Sequence, residues 1–183
     1  MLLTDVSRRA PESAFLGVEA RGLSSEWRFR GYSAAMSAAF EPRDPDYEQR
    51  VRKSFAGQGL MATFAAELAS VSPGVVEIEV PFAPGLTQQD EFFHAGVGIA
   101  LLDSACGYSA LTLMAPGMRV LTVELKVNLL APAVGDSLRA RGEVVRPGRT
   151  LTVCQGDAYA VSGGTSKHVA TILTTMSGLA EAS

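Results

Sequence analysis

The sequence predicts an α+β domain in which a curved antiparallel sheet of about five to six strands wraps around one long helix. Residues 95–114 form an apolar run rich in Ala, Leu and Met, too long for a buried strand, and Pro116 and Gly117 end it. Segments that alternate between apolar and polar residues flank this run and are separated by turn sequences. A helix that is apolar almost all round needs a cover on every side, which a curved sheet provides.

The elements follow in the order helix, two strands, long helix, four strands. The first helix begins at Asp44 and Pro45, a capping side chain followed by proline at the first helical position, and Gly57 and Gly59 end it. The alternation predicts strands over residues 61–71, 76–82, 119–130, 138–145, 150–161 and 169–176, with a loop at 83–93. In residues 119–130 it predicts one buried and one exposed face. A long helix inside such a sheet is the hotdog architecture.

The chain divides into an extension and one domain. Residues 1–35 lack sustained periodicity, so we expect a poorly ordered N-terminal extension and predict that translation can also begin at Met36. Residues 36–183 form the domain. With 47% hydrophobic residues in the chain, part of its apolar surface could be covered by a partner subunit.

Charge and cysteine content exclude several classes of function. The net charge of -3 and the lack of a basic run argue against a nucleic-acid partner. The apolar stretch at residues 97–115 contains Asp103 and glycines, which argues against a membrane span. Two cysteines, Cys106 and Cys154, and two histidines lack metal-ligand spacing, so we expect no metal and a reducing, cytoplasmic location.

Asp103 is the one residue between Gly96 and Pro116 that is charged at neutral pH. Helical spacing places mostly small residues, including Gly107, on its side of the helix. Small neighbours would let a substrate approach, and apolar surroundings suit a general base. The alternative is a structural carboxylate that caps a helix or pairs at a subunit contact.

The start of the long helix is a second candidate feature. The backbone N–H groups of Ala95 and Gly96 are expected to lack intrahelical partners at the positive end of the helix dipole. Such groups can stabilise the oxyanion that forms during acyl transfer.

Residues 88–108 resemble the active-site signature of the phenylacetate-pathway (PaaI-type) branch of hotdog acyl-CoA thioesterases. In that family an Asn or Gln lies six residues before a His-Gly-Gly turn, and an Asp or Glu lies nine residues after the His. Gln88, His94 and Asp103 match these positions, whereas Ala95 replaces the first glycine. The similarity includes residues 128–132 and spans roughly 45–178.

The resemblance implies hydrolysis of an acyl-CoA, aromatic or of medium length, to free acid and CoA. Asp103 would act as nucleophile or general base, Gln88 would orient water or the carboxylate, and His94 would steady the loop and the substrate. The amides of Ala95 and Gly96 would hold the oxyanion. No cofactor is implied, since coenzyme A is part of the substrate.

Substrate binding and assembly follow from the same resemblance. We assign Gly107 and Asn128 to substrate binding, and Arg146 and Arg149, basic residues near strand ends, to the CoA phosphates. The family forms its site between two subunits, which predicts a homodimer or a dimer of dimers. Two other functions stay open: a non-catalytic acyl-CoA-binding hotdog protein, and a hotdog hydratase or dehydratase.

Overall fold

The structure, a computed structural model, describes residues 40–180. Six strands form one antiparallel sheet in the order β1-β2-β4-β5-β6-β3, with a long helix packed on it, so the predicted hotdog fold is confirmed. The prediction for residues 1–35 lies outside the described residues. The elements are α1 (Tyr47–Ala56), α2 (Gly59–Thr63), β1 (Glu67–Ser72), β2 (Val75–Pro81), α3 (Ala95–Leu111), β3 (Met118–Leu129), β4 (Ser137–Arg146), β5 (Leu151–Ser162) and β6 (Thr165–Ala180).

Helix α3 lies against the inner face of the sheet because both surfaces are apolar. Leu101, Leu102 and Ala105 on the helix are fully buried. The helix approaches β4 so closely that a Cβ atom on Gly142 would lie 2.4 Å from the backbone carbon of Ala105. Gly142 therefore sets the distance between helix and sheet, and with it the position of every side chain on α3.

The predicted strand over residues 61–71 is wrong in its first half. Residues 59–63 form α2, in which the Ala62 N–H donates to the Gln58 carbonyl at 3.2 Å. Ala65 then adopts a left-handed conformation with φ of 53°, and the strand begins at Glu67. The alternation of small residues over one turn does not distinguish a helix from a strand, which explains the error.

Strand β3 departs from the predicted pair of buried and exposed faces. A bulge between Thr122 and Glu124 shifts the alternation, so Leu121 pairs with Ser177 whereas Leu125 pairs with the buried Thr174. The two leucines therefore point to opposite faces. Four apolar side chains of β3 are exposed in the single chain: Leu121 (57%), Val123 (59%), Leu125 (40%) and Leu129 (59%). They lie on an edge strand of twelve residues.

Helix α1 holds the far end of α3. The Arg50 guanidinium donates to the carbonyl oxygens of Leu111, Met114 and Ala115 at 2.9, 2.8 and 2.6 Å, and it pairs with Asp44 at 3.2 Å. These carbonyl groups lie at and just beyond the C-terminal end of α3, the negative end of its dipole, where a cation is favourable. These hydrogen bonds hold the C-terminal end of α3, and packing against the sheet holds the helix along the rest of its length.

Candidate active site

Asp103 lies half-buried in the middle of α3, beside the edge strand β3. Its carboxylate accepts a hydrogen bond of 2.7 Å from the Thr122 hydroxyl. It lines a cleft of about 430 Å³, whose walls include Gly107, Val120 and Met176; we call this the acid cleft. No cation pairs with Asp103 among residues 40–180. This part of the chain therefore provides no ion pair that would explain Asp103 as a purely structural carboxylate.

The start of α3 is capped by the side chain of His94. His94 has extended backbone angles, φ -62° and ψ 137°, and its Nδ1 accepts the Gly96 N–H at 2.9 Å. The expectation of two free amides is therefore wrong for Gly96, because an N-cap side chain accepts from the second or third helical residue. Within the described chain the Ala95 N–H has no partner. An accepting Nδ1 leaves the imidazole proton of neutral His94 on Nε2.

Gln88 belongs to the loop that precedes α3. Its backbone N–H donates to the Phe92 carbonyl at 2.9 Å, and its side chain bonds to the backbone N–H and the carboxylate of Asp90. Gln88, His94 and Ala95 together line a second cleft, of about 550 Å³, with residues 129–133 opposite. We call it the helix-start cleft. The structure thus brings three of the predicted catalytic residues together.

The two clefts are separate within one chain. Asp103 lies eight residues after Ala95, which corresponds to about 12 Å along a helix that rises about 1.5 Å per residue. One carbonyl group cannot contact both positions. The acid cleft lies at the end of β3 formed by residues 120–122, and the helix-start cleft lies at the other end, next to Leu129.

The predicted substrate-binding residues are spread over the molecule. Gly107 lies in the acid cleft. Asn128 is exposed on β3, where its side chain accepts a hydrogen bond of 2.6 Å from Lys126, and it lines neither cleft. Arg146 is exposed at the end of β4, and Arg149 lines a third cavity, of about 340 Å³, near the C-terminal end of α3. The single chain does not bring Asn128, Arg146 or Arg149 close to Asp103.

The sequence did not predict seven polar residues of the acid cleft: Arg50, Ser54, Gln58, Ser104, Tyr108, Arg119 and Thr122. Ser104 and Tyr108 follow Asp103 on α3, so the helical period could have placed them near it. Thr122 alternates with leucines and valines and was therefore assigned to the exposed face. The bulge that turns it inward has no signal in the sequence.

The described residues offer little for other chemistry. No group of three His, Cys, Asp or Glu side chains that could hold a metal ion occurs between residues 40 and 180. Cys106 and Cys154 are buried and unpaired; burial raises the pKa of Cys154 to about 12 and that of Cys106 well above its usual value, so neither is a nucleophile at neutral pH. None of the described helices combines the length and hydrophobicity of a membrane span.

Known proteins resemble this chain in sequence and in fold. Residues 91–167 match the model of the thioesterase superfamily. A thioesterase family protein from Silicibacter pomeroyi is 49% identical, with 73% of this chain and 98% of that chain covered and a TM-score of 0.72. The PaaI protein from the phenylacetic acid degradation operon of E. coli shares the fold, with 17% identity, 74% and 95% coverage and a TM-score of 0.66.

A putative esterase from Saccharolobus solfataricus is 28% identical over 89 residues, which are 49% of this chain. The aligned part is 63% of that curated relative's length. The stronger likeness is to the Silicibacter pomeroyi protein, nearly all of which aligns at 49% identity. On that likeness, with a six-stranded sheet around a central helix, the chain belongs to the thioesterase superfamily and has the hotdog fold.

Proposed function

We propose that this protein hydrolyses an acyl-CoA to a free acid and CoA at a site formed between two copies of the chain. One copy supplies Asp103, and the other supplies the helix start with Ala95, His94 and Gln88. The observation that carries the proposal is the position of the two clefts at opposite ends of the same edge strand.

Strand β3 has the properties of a pairing surface. It is twelve residues long, lies at the edge of the sheet and exposes four large apolar side chains. A long apolar edge of this kind favours pairing with another strand. If two β3 strands pair antiparallel around a twofold axis that passes between residues 125 and 126, residues 120–122 of one copy lie beside residues 129–131 of the other. The acid cleft of each copy then meets the helix-start cleft of its partner.

This arrangement supplies the groups that thioester hydrolysis needs. The carbonyl oxygen of the substrate receives the Ala95 N–H, which stabilises the negative charge as the tetrahedral intermediate forms. Asp103 either attacks the carbonyl carbon or takes a proton from the attacking water. When water attacks, the C–S bond breaks, Asp103 passes the proton it took to the CoA thiolate, and the acid is released. When Asp103 attacks, breakage of the C–S bond leaves the acyl group on Asp103 as an anhydride; water then hydrolyses the anhydride to the acid, and the CoA thiolate takes up a proton from that water. Thr122 orients the carboxylate, and Gln88 orients the water or the carboxylate.

The acyl group occupies the acid cleft in this proposal. Leu111, Val120 and Met176 give it an apolar wall, and Gly107 keeps its floor open, which suits an aromatic or medium-chain acyl group. The shared fold of the E. coli PaaI protein, from a phenylacetic acid degradation operon, supports an aromatic group. Arg146 and Arg149 are proposed contacts for the CoA phosphates. The cytoplasmic location stays a prediction that rests on two unpaired cysteines.

The test is thiol release from a panel of aromatic and aliphatic acyl-CoAs, measured for the wild type and for Asp103→Asn. We expect release by the wild type and a loss of at least about 100-fold in kcat for the variant. Asp157→Asn, on the outer face of the sheet, is the matched control. Undiminished release by Asp103→Asn would remove this residue from the mechanism. Tight acyl-CoA binding without release would favour a non-catalytic binding protein, and hydration of an enoyl-CoA without release would favour a hydratase.

A further inference from the structure

The third cavity, near the C-terminal end of α3, is lined by a buried hydroxyl group that has no partner. Thr152 lies on the inner face of β5, where strand alternation directs its side chain toward α3, and it is only 5% exposed. Its hydroxyl makes no hydrogen bond within residues 40–180. Arg50 Nε is the one fully enclosed polar side-chain atom without a partner in this part of the chain, so the Thr152 oxygen faces open space. The cavity supplies that space, and a ligand in it can provide the missing bond.

The floor of the third cavity is apolar and adaptable. Leu113, Met114 and Met118 line it. A Cβ atom on Gly178 would lie 3.1 Å from Met118 Cε and 3.5 Å from Met114 Sδ, so both methionines pack against this glycine. Methionine side chains fit irregular shapes because they are unbranched and polarisable. A volume of about 340 Å³ is at the lower end for ligand cavities, which indicates a small ligand with an apolar body.

Two arginines give the rim of the cavity a positive charge. Arg149 is exposed there and pairs with no carboxylate among residues 40–180. Arg43 lines the same cavity and Glu41 opposes it, so the arginines exceed the acidic groups by one. The carbonyl oxygens at the end of α3 would repel an anion, but Arg50 is bound to them. The rim therefore favours an anionic group.

We propose that the third cavity is a second binding site, apart from the two clefts of the proposed active site, for a small organic carboxylate with an aromatic or short aliphatic body. The body lies on the two methionines, and the carboxylate binds Arg149 and the Thr152 hydroxyl. These two residues are three positions apart, so their Cα atoms are separated by at most about 11 Å. An arginine side chain and a carboxylate together can bridge that span. This site goes beyond the proposed hydrolysis and does not depend on it.

The experiment is isothermal titration calorimetry of the full chain with hexanoate and with phenylacetate. CoA is left out, because Arg149 is also a proposed contact for its phosphates. For at least one acid we expect a Kd of about 1 mM or lower. Acetate, which lacks the apolar body, and 1-hexanol or 2-phenylethanol, which lack the charge, should bind at least about tenfold more weakly.

Two variants test the polar contacts. Thr152→Val keeps the shape of the side chain and removes the hydroxyl, and Arg149→Gln removes the charge; each should weaken binding of the acid at least about tenfold. Thr152→Ser keeps the hydroxyl, and Arg52→Gln changes an exposed arginine on α1 that does not line the cavity. Both controls should bind within about threefold of the wild type. Thermal unfolding should show Thr152→Val to be at least as stable as the wild type, because its hydroxyl has no bond to lose.

The variants separate this cavity from the acid cleft. An acid that binds only beside Asp103 loses no affinity in Thr152→Val or Arg149→Gln, and affinity that either variant leaves unchanged would overturn the inference. Acetate or the alcohol bound as tightly as the acid would overturn it too, since charge or apolar surface alone then explains the binding. So would the absence of binding of both acids at about 10 mM. A protein that binds the acid in this way without thiol release from any acyl-CoA would lose the proposed function and keep this site.

Discussion

Replacing Ala95 by proline removes one N–H group from the proposed site and little else. Ala95 is the first residue of α3, a position where proline is accepted because its missing N–H has no intrahelical partner. The residue before it, His94, has φ -62° and ψ 137°, angles that a following proline favours. The Ala95 N–H makes no hydrogen bond to the described chain, so we expect the free energy of unfolding to change by less than about 1 kcal/mol.

The expected effect on catalysis is large. The Gly96 N–H is occupied by His94, so each helix start offers a single free amide for the oxyanion. Removal of one such donor costs about 3 kcal/mol in the transition state, or 100- to 1,000-fold in kcat. The assay is thiol release under saturating acyl-CoA, with thermal unfolding measured on the same samples.

Ala95→Gly is the matched control, because it keeps the amide and removes the methyl group; its kcat should stay within about threefold of the wild type. A proline variant that folds and retains full kcat would show that the helix start does not hold the oxyanion. A proline variant that unfolds would instead contradict the backbone conformation described for residues 94–95.

Three further changes test other parts of the account. Thr122→Val removes the hydrogen bond to Asp103 and should lower kcat about tenfold through loss of orientation, with Thr171→Val as a control that leaves kcat unchanged. Gly142→Ala places a Cβ 2.4 Å from the backbone of α3 and should lower the free energy of unfolding, measured with urea, by about 2 kcal/mol. Burial raises the pKa of Cys154 from 9.0 to about 12, so the unfolded chain releases this proton first as pH rises. Stability should therefore fall above pH 9.0, by up to about 1.4 kcal/mol per pH unit for each buried thiol.

Each of these three predictions has an outcome that would contradict it. Unchanged kcat in Thr122→Val would show that Asp103 needs no support from β3. Equal stability of Gly142→Ala and Gly98→Ala would contradict the close approach, because a Cβ at Gly98 meets only one side chain atom, at 3.7 Å. A variant with both cysteines replaced by alanine should lose stability less steeply above pH 9.0 than the wild type; identical slopes would contradict the burial of the thiols.

The fold was predictable because its main signals are local. The apolar run at residues 95–114 and the alternating segments around it repeat with the periods of a buried helix and of strands, and the structure has both where predicted. Two features of the fold could not be predicted from local sequence patterns. A single turn of helix at residues 59–63 is too short to show a period. The bulge at Thr122 depends on pairing with β6, a contact between distant parts of the chain.

The roles of the candidate site residues stay a prediction, and their arrangement in two clefts was not predicted from the sequence. Gln88, His94 and Asp103 were named from the resemblance to the PaaI-type family, but sequence spacing does not show that Gln88, His94 and Ala95 line one cleft while Asp103 lines another. The capping bond from Gly96 to His94 was also missed, since it depends on the orientation of one side chain. The hydrogen bond from Gln58 to Ser104 on α3 was not predicted because the two residues are 46 positions apart in the sequence.

The most direct test of a site shared between two copies is complementation between two inactive variants. Asp103→Asn chains and Ala95→Pro chains are co-expressed with different tags, and thiol release is compared with that of each variant alone. In a mixed dimer one of the two sites receives both intact groups, so random pairing should restore about a quarter of wild-type activity. Activity that stays at the level of the separate variants, in dimers shown to carry both tags, would contradict the shared site.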